Sequence, residues 1–167
     1  MGSYKMKYGL LIATILIGAL ANAGFALDPK VFPGKGSKDA WTRACIIANE
    51  GHKIAKKSEE SAIPKFQQAI AIYPYADCFY LDLGVSYENK MNPDLRKAEA
   101  AYRKATELDP KDWHNWNSLC RTLGQQEKYA ASREAGLKAL SCNPPPDKAA
   151  ALKAIIADIN NFLANSR

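Results

Sequence analysis

The sequence predicts an all-α fold in which antiparallel helix pairs stack into an α-solenoid, with about seven helices in all. Three observations support this prediction. Alanine is abundant through the 167-residue chain, and β-branched residues never cluster in the alternating pattern of a strand. A segment between Ala76 and Pro110 has the pattern of two helices joined by a turn, and the same pattern recurs on both sides of it.

The segment 76–110 carries the pattern most clearly. In its first half, large and small residues share one helical face: Tyr80, Leu83, Gly84 and Tyr87. In its second half, the matching residues are Ala98, Tyr102 and Ala105, followed by Pro110. Residues 90–93 break the chain between the two halves. Two such helices can bury their apolar faces against each other, and Gly84 and Ala98 allow their backbones to approach closely.

The pattern repeats with a period of about 34 residues. Ala62, Phe66, Ala69 and Pro74 precede the corresponding residues of the segment by 36 positions, and Ser132, Gly136, Ala139 and Pro144 follow them by 34. The pattern resembles the tetratricopeptide repeat, an antiparallel helix pair with an aromatic residue, Leu, Gly and Tyr on its first helix and Ala, an aromatic residue, Ala and Pro on its second. The resemblance covers residues 39–144 and implies a right-handed superhelix of about three repeats.

The N-terminal residues 1–26 are predicted to be a signal peptide. A charge-free apolar run follows Lys5 and Lys7, and small residues suited to cleavage come after it. Cleavage is predicted after Ala23 or Ala26. The alternative is an uncleaved membrane anchor, although the run is shorter than the roughly 20 residues that span a bilayer.

The rest of the chain divides at its turn signals. Residues 27–37, here called the lead-in, are predicted to be extended, since two prolines and two glycines lie among them. Ser37 is predicted to cap the first helix. Three repeats follow, over residues 38–74, 75–110 and 111–144. Residues 145–167 are predicted to form a C-terminal capping helix and tail, because the open apolar end of a repeat stack needs a cover.

The first helix of each repeat is predicted to line a concave groove that binds a peptide. The predicted groove residues are Ala48, His52 and Lys56 in repeat one, Leu81, Val85 and Glu88 in repeat two, and His114, Asn117, Arg121 and Gln125 in repeat three. This groove would be apolar in its middle and polar to basic at its end. It suits an extended peptide or a helix with an acidic or carboxylate group near Arg121. The alternative is binding at an edge or on the convex side.

The resemblance does not extend to one subtype of the family. Members that clamp the C-terminal carboxylate of heat-shock chaperones resemble one another in carrying Lys and Asn on the first groove helix, and Lys and Arg on the third. The present chain has Ala48 and His52 on the first of these helices and His114 at the start of the third. The sequence therefore disfavours a cytosolic chaperone adaptor.

No enzyme activity and no cofactor are predicted. The chain has no Cys-x-x-Cys-His or Cys-x-x-Cys motif and no glycine-rich phosphate loop. Its formal net charge of +6 is spread over helix faces and not gathered in a basic tract, so no nucleic acid partner is predicted.

We therefore predict a non-enzymatic scaffold that binds a protein or peptide partner and helps to assemble a complex. The predicted location is an exported compartment, the bacterial periplasm, with contact to a membrane only if the N-terminal segment is uncleaved. One alternative is a metal- or redox-responsive protein using Cys45, Cys78, His52 and His114, in which Cys45 and Cys78 are the candidate disulfide pair. Another is a self-associating protein, a homo-oligomer in which one copy holds the lead-in of another.

Overall fold

A computed structural model describes residues 27–30 and 32–165. All regular secondary structure in these residues is helical. The helices are α1 (Lys38–Ala55), α2 (Glu59–Ile72), α3 (Asp77–Asn89), α4 (Leu95–Leu108), α5 (Trp113–Gln125), α6 (Tyr129–Ser141) and α7 (Pro146–Asn165). The predicted all-α class with seven helices is confirmed over this part of the chain. The predicted signal peptide lies outside the described residues.

The described chain forms two compact units, residues 27–109 and residues 110–165. In the first unit, α1 packs against α2, α2 against α3, and α3 against α4. In the second unit, α5 packs against α6, and α7 packs against α6. Helices that are consecutive along the chain therefore form the pairs, as the repeat pattern predicts. Within the described ranges, no helix is both long enough and apolar enough to cross a membrane.

Side-chain caps fix where several of the helices begin. Ser37 accepts a hydrogen bond from a first-turn amide of α1, as predicted, and Ser58 does the same for α2. Asp94 and Asp112 cap α4 and α5 in the same way. These side chains satisfy amide groups that have no partner inside their helix.

Glycine permits the closest approach between the two helices of a pair. A Cβ atom at Gly84 of α3 would lie 2.7 Å from Cδ1 and 2.9 Å from Cζ of Tyr102 on α4, whose side chain is fully buried. The pair α1 and α2 meets in the same way, since a Cβ at Gly51 would lie 2.9 Å from Cε1 of Phe66. Only glycine leaves room for these rings without a shift of the ring or the helix.

The pair α5 and α6 also packs closely, but its glycine lies on the second helix and not on the first. Cys120 stands where the other first helices have glycine, and Gly136 on α6 stands where the other second helices have an aromatic ring. A Cβ at Gly136 would lie 3.2 Å from Sγ of Cys120 and 3.1 Å from Cγ1 of Ile156 on α7. The Ser132 hydroxyl also donates to the Cys120 carbonyl at 2.7 Å. The close approach is thus kept although the sequence pattern is degenerate.

Candidate functional site

A histidine and a carboxylate link α1 to α3 in the first unit. His52 Nε2 lies 2.8 Å from Asp82 Oδ2, and the two side chains are 14% and 20% exposed. The His52 ring also packs against the Phe66 ring, with 5.3 Å between their centroids. Both ring nitrogens of His52 are buried, and Nδ1 has no hydrogen-bond partner among the described residues. The ion pair therefore ties together the first helices of the first two repeats.

The His52–Asp82 pair retains a proton more readily than an exposed histidine would. Burial acts to lower the pKa of His52, but the hydrogen bond to Asp82 and the charges of Asp82 and Glu59 outweigh it and raise that pKa above its ordinary value. Burial also raises the pKa of Asp82, although His52 opposes this. A histidine so placed can change charge within the physiological range of pH.

Two apolar residues lie beside this pair on α3. Leu81 and Val85 are one helical turn apart, so they share a face of the helix, and both are partly exposed. Lys56, the residue that follows α1, is exposed. These three predicted groove residues remain accessible to a ligand, whereas both ring nitrogens of His52, a fourth predicted groove residue, are buried.

Two predicted groove residues are not accessible, and their assignment to the groove was wrong. Ala48 is fully buried and belongs to the core cluster of the first unit. Glu88 is 6% exposed and accepts a hydrogen bond from the Tyr102 hydroxyl at 2.8 Å, so it faces α4. On the same helix, Ser86 donates to Glu59 of α2 at 2.8 Å. Because α3 lies between α2 and α4, it has less open surface than a simple helix pair would leave.

The lead-in is held against α1 by one asparagine side chain. Asn49 Oδ1 accepts a hydrogen bond from the Leu27 N–H, and Asn49 Nδ2 donates to the Leu27 carbonyl, both at 2.9 Å. Sequence reasoning did not single out Asn49, since the contact depends on the main chain of Leu27. The sequence offered one general indication of this contact: a segment that precedes a helical repeat runs over the surface of that repeat.

Aromatic contacts hold the rest of the lead-in. The Phe32 ring meets the Tyr73 ring edge to face, with 6.5 Å between centroids. The Tyr73 hydroxyl donates to the carbonyl of Lys35. Leu27 and Phe32 both pack against the buried cluster that includes Cys45 and Ala48. Leu27, Phe32 and Lys35 are therefore the points at which the lead-in contacts the first unit.

The remaining predicted residues lie on α5 in the second unit. His114 stacks on Trp113 with 3.9 Å between ring centroids, and its Nδ1 lies 2.8 Å from Asp112 Oδ1. Burial acts to raise the pKa of Asp112, but the hydrogen bonds from His114 outweigh it and hold that pKa below its ordinary value. Three further predicted residues of α5 are partly buried and spaced by four: Asn117, Arg121 and Gln125.

All four cysteines are free thiols, so the candidate disulfide between Cys45 and Cys78 is not formed. Burial raises the pKa of Cys45 to about 11 and that of Cys78 well above its ordinary value, and nearby carboxylates add to both effects. A protonated thiol is a weak nucleophile and a weak metal ligand. Within the part of the chain that the structure describes, no three or more His, Cys, Asp or Glu side chains are grouped so as to hold a metal ion.

The paired helices, the glycines beneath aromatic rings and the order of the pairs define a helical-repeat fold of the tetratricopeptide class. The chain is similar to a solved structure, the TPR domain of Sgt2 from Aspergillus fumigatus, with 22% identity and a TM-score of 0.64 over 74% of this chain and 81% of that one. This likeness confirms the fold that the sequence predicted. No protein-family model matches the chain, and no curated protein matches it.

Proposed function

We propose that the chain is a non-enzymatic scaffold that binds a peptide or helix of a partner protein and helps to assemble a complex. The observation that carries the proposal is the surface of α3 at Leu81 and Val85. Two apolar side chains one turn apart are partly exposed there, beside the His52–Asp82 pair, on a fold of the tetratricopeptide class. Repeat proteins of this kind bind partners on the surfaces that their helices present.

The chemistry of this surface favours an amphipathic ligand. Leu81 and Val85 can cover apolar side chains, each worth about 1.5–3 kcal/mol when fully buried. Lys56 can meet polar or acidic groups near it. In the second unit, Arg121 on α5 suits a carboxylate, which a guanidinium can bind through two hydrogen bonds.

The proposed location is an exported compartment. The support for it is the charge-free apolar run after Lys5 and Lys7 and the small residues at Ala23 and Ala26. The bacterial periplasm is the compartment that we propose.

Crosslinking in cells, followed by mass spectrometry, tests the proposal. The tagged full-length protein is compared with Leu81→Glu and, separately, with Arg121→Glu. A matched control is Ala100→Glu, which adds the same charge at an exposed position of α4. We expect a specific partner to be captured by the wild type and by the control and to be lost from Leu81→Glu. An unchanged helical circular dichroism spectrum checks the fold of each variant.

Retention of the same partners by every variant would contradict the proposal. Binding would then use an edge, the convex side or α7. If only Arg121→Glu lost the partner, the binding site would lie on α5 and the α3 surface would not take part in binding.

A further inference from the structure

His52 lies where three helices of the first unit meet. Its Nε2 atom on α1 lies 2.8 Å from Asp82 Oδ2 on α3, and its ring packs on the Phe66 ring of α2. Because α1 packs on α2 and α2 packs on α3, the His52–Asp82 pair joins the two helices that are not consecutive along the chain. A change in the charge of His52 therefore acts on all three helices.

Two carboxylates from different helices act on the His52 ring. Asp82 belongs to α3. Glu59 belongs to α2, and it also accepts a hydrogen bond from the Ser86 hydroxyl of α3 at 2.8 Å. Both negative charges favour the protonated form of the imidazole. The positive charge of a protonated His52 therefore opposes the repulsion between carboxylates on α2 and α3.

The neighbouring ionisable groups do not take over this charge. Cys78 lies one turn before Asp82 on α3, and burial, together with the Asp82 charge, raises the pKa of its thiol well above the ordinary value. Cys78 is therefore neutral. Lys56 follows His52 by one turn and is exposed, so salt screens its charge. The His52 imidazolium thus supplies the titratable positive charge at this junction.

Deprotonation of His52 removes the opposing charge from a buried carboxylate. Both ring nitrogens of His52 are buried, so the histidine acts through the helices that it contacts and not through a ligand. An ion pair that loses one charge in a buried site leaves the other charge uncompensated, which is strongly destabilising. The contact between α1 and α3 is therefore weaker when His52 is neutral.

The surface at Leu81 and Val85 lies on the helix that this contact positions. Leu81 is adjacent to Asp82 in the sequence, and Val85 follows Asp82 by three residues on α3. A shift of α3 at Asp82 moves both apolar side chains. A partner that packs on both of them therefore distinguishes the two protonation states of His52.

We propose that the His52–Asp82 pair is a pH-sensitive link between α1 and α3 that regulates partner binding at Leu81 and Val85. When His52 is protonated, the link holds the surface in its binding arrangement. As pH rises and His52 loses its proton, the link weakens and the partner binds less tightly. This inference rests on the proposed function and adds its regulation, with His52 as a positioning residue.

An NMR titration of the purified full chain tests the link without any partner. The chain has two histidines, so His114→Gln assigns the imidazole signal of His52. We expect that signal to titrate above the ordinary histidine pKa of about 6.5. It should titrate at lower pH in Asp82→Asn, which keeps the shape of the side chain but removes its charge. Titration at or below the ordinary value in the wild type, or no change in Asp82→Asn, would overturn the proposal.

Photocrosslinking tests whether the link controls binding. The probe is a photoreactive residue at position 85, placed in the wild-type chain and in His52→Gln, whose side chain is polar but cannot take up the proton. Permeabilised cells are irradiated at about pH 6 and at about pH 8.5, on either side of the range in which histidine changes charge. We expect the crosslink yield of the wild type to fall about fivefold at the higher pH, a typical coupling between two sites. The yield of His52→Gln should not change with pH.

His114→Gln is the matched control, because it removes the histidine of the second unit. It should keep the pH response of the wild type. Equal yields from the wild type at the two pH values, or the same fall in His52→Gln, would overturn the regulation and leave the proposed function intact. No crosslink at either pH would contradict the proposed function and, with it, the regulation of binding.

Discussion

Gly84 decides how closely α3 and α4 pack, because the Tyr102 ring occupies the space of a side chain there. We expect Gly84→Ala to lower the free energy of unfolding by about 1–3 kcal/mol, since an overpacked core forces the buried ring to move. That loss is larger than the roughly 1 kcal/mol that alanine gains over glycine inside a helix. Urea denaturation measures the change.

The control for this substitution is Gly136→Ala on α6. A Cβ there would meet the Cys120 sulfur and an Ile156 carbon at 3.1–3.2 Å, and an isoleucine side chain can adjust. The gain in helix propensity should then offset much of the strain. A larger loss at Gly136 than at Gly84 would contradict this account of the two helix contacts.

The buried hydrogen bond between Tyr102 and Glu88 is a second test at the residue scale. Tyr102→Phe leaves the Glu88 carboxylate short of one donor, and we expect it to cost about 1–3 kcal/mol of unfolding free energy. Tyr87→Phe is the matched control, because the Tyr87 hydroxyl accepts an exposed bond from Gln67. Its effect should be within about 0.5 kcal/mol. Equal losses in the two variants would show that Glu88 is not part of the core.

Single residues also show what the sequence could and could not predict. The pattern predicted Gly84 and Tyr102 as packing residues, because their spacing follows directly from helical geometry. It failed at Ala48 and Glu88: Glu88 faces α4, the partner helix of its own pair, and Ala48 lies in the core cluster of the first unit, so both belong to packing faces and not to the groove. Periodicity within one helix does not contain that information.

At the scale of elements, α1 and α3 are joined by the His52–Asp82 pair, whose protonation changes with pH. A histidine whose pKa is raised in the folded state contributes stability that is fully present below its unfolded pKa, about 6.5, and is lost as pH rises through the folded pKa. The raised pKa of Asp82 has the same sign, but its effect begins at the ordinary Asp pKa of about 3.9. We therefore expect the unfolding free energy to fall as pH rises from about 6.5 through the folded pKa of His52.

His52→Gln should flatten this pH dependence, because glutamine keeps a polar side chain but cannot take up the proton. Urea denaturation at a series of pH values compares the two proteins. A slope that is the same in the wild type and in His52→Gln would exclude His52 as the group responsible.

The lead-in illustrates a second limit of sequence reasoning. Its prolines and glycines predicted an extended segment; the described residues lie outside the helices, but they form a turn at Pro29 and Lys30 and bends at 34–36. Ser37 caps α1, as predicted. Its docking could not be predicted, because the deciding contacts are the main-chain groups of Leu27 and one asparagine. The residues that make them follow no repeating pattern.

At the scale of the whole molecule, the fold was predictable because many positions agree on one pattern. Even the degenerate third helix pair keeps a small residue against its neighbour, although Cys120 and Gly136 exchange roles. The partner was not predictable, since the same packing pattern is compatible with many surfaces. The exposed residues that recognise a partner vary independently of the residues that hold the helices together.

Export is tested by the N-terminus of the protein produced in bacterial cells. We expect the chain recovered from the periplasmic fraction to begin at Leu27 or at Gly24, which correspond to cleavage after Ala26 or Ala23. N-terminal mass spectrometry of the fractionated protein distinguishes these starts. Recovery of an uncleaved chain from the membrane fraction would support the anchored form, and recovery from the cytosol would contradict export.

The central claim is that a partner binds the surface of α3 at Leu81 and Val85. The most direct measurement places a photoreactive residue at each of these positions in turn, with Ala100 on α4 as the control, and irradiates living cells. We expect crosslinks to one partner from positions 81 and 85 and none to that partner from position 100. Crosslinks from position 100, with none from positions 81 and 85, would contradict the claim. Binding would then use the exposed side of α4.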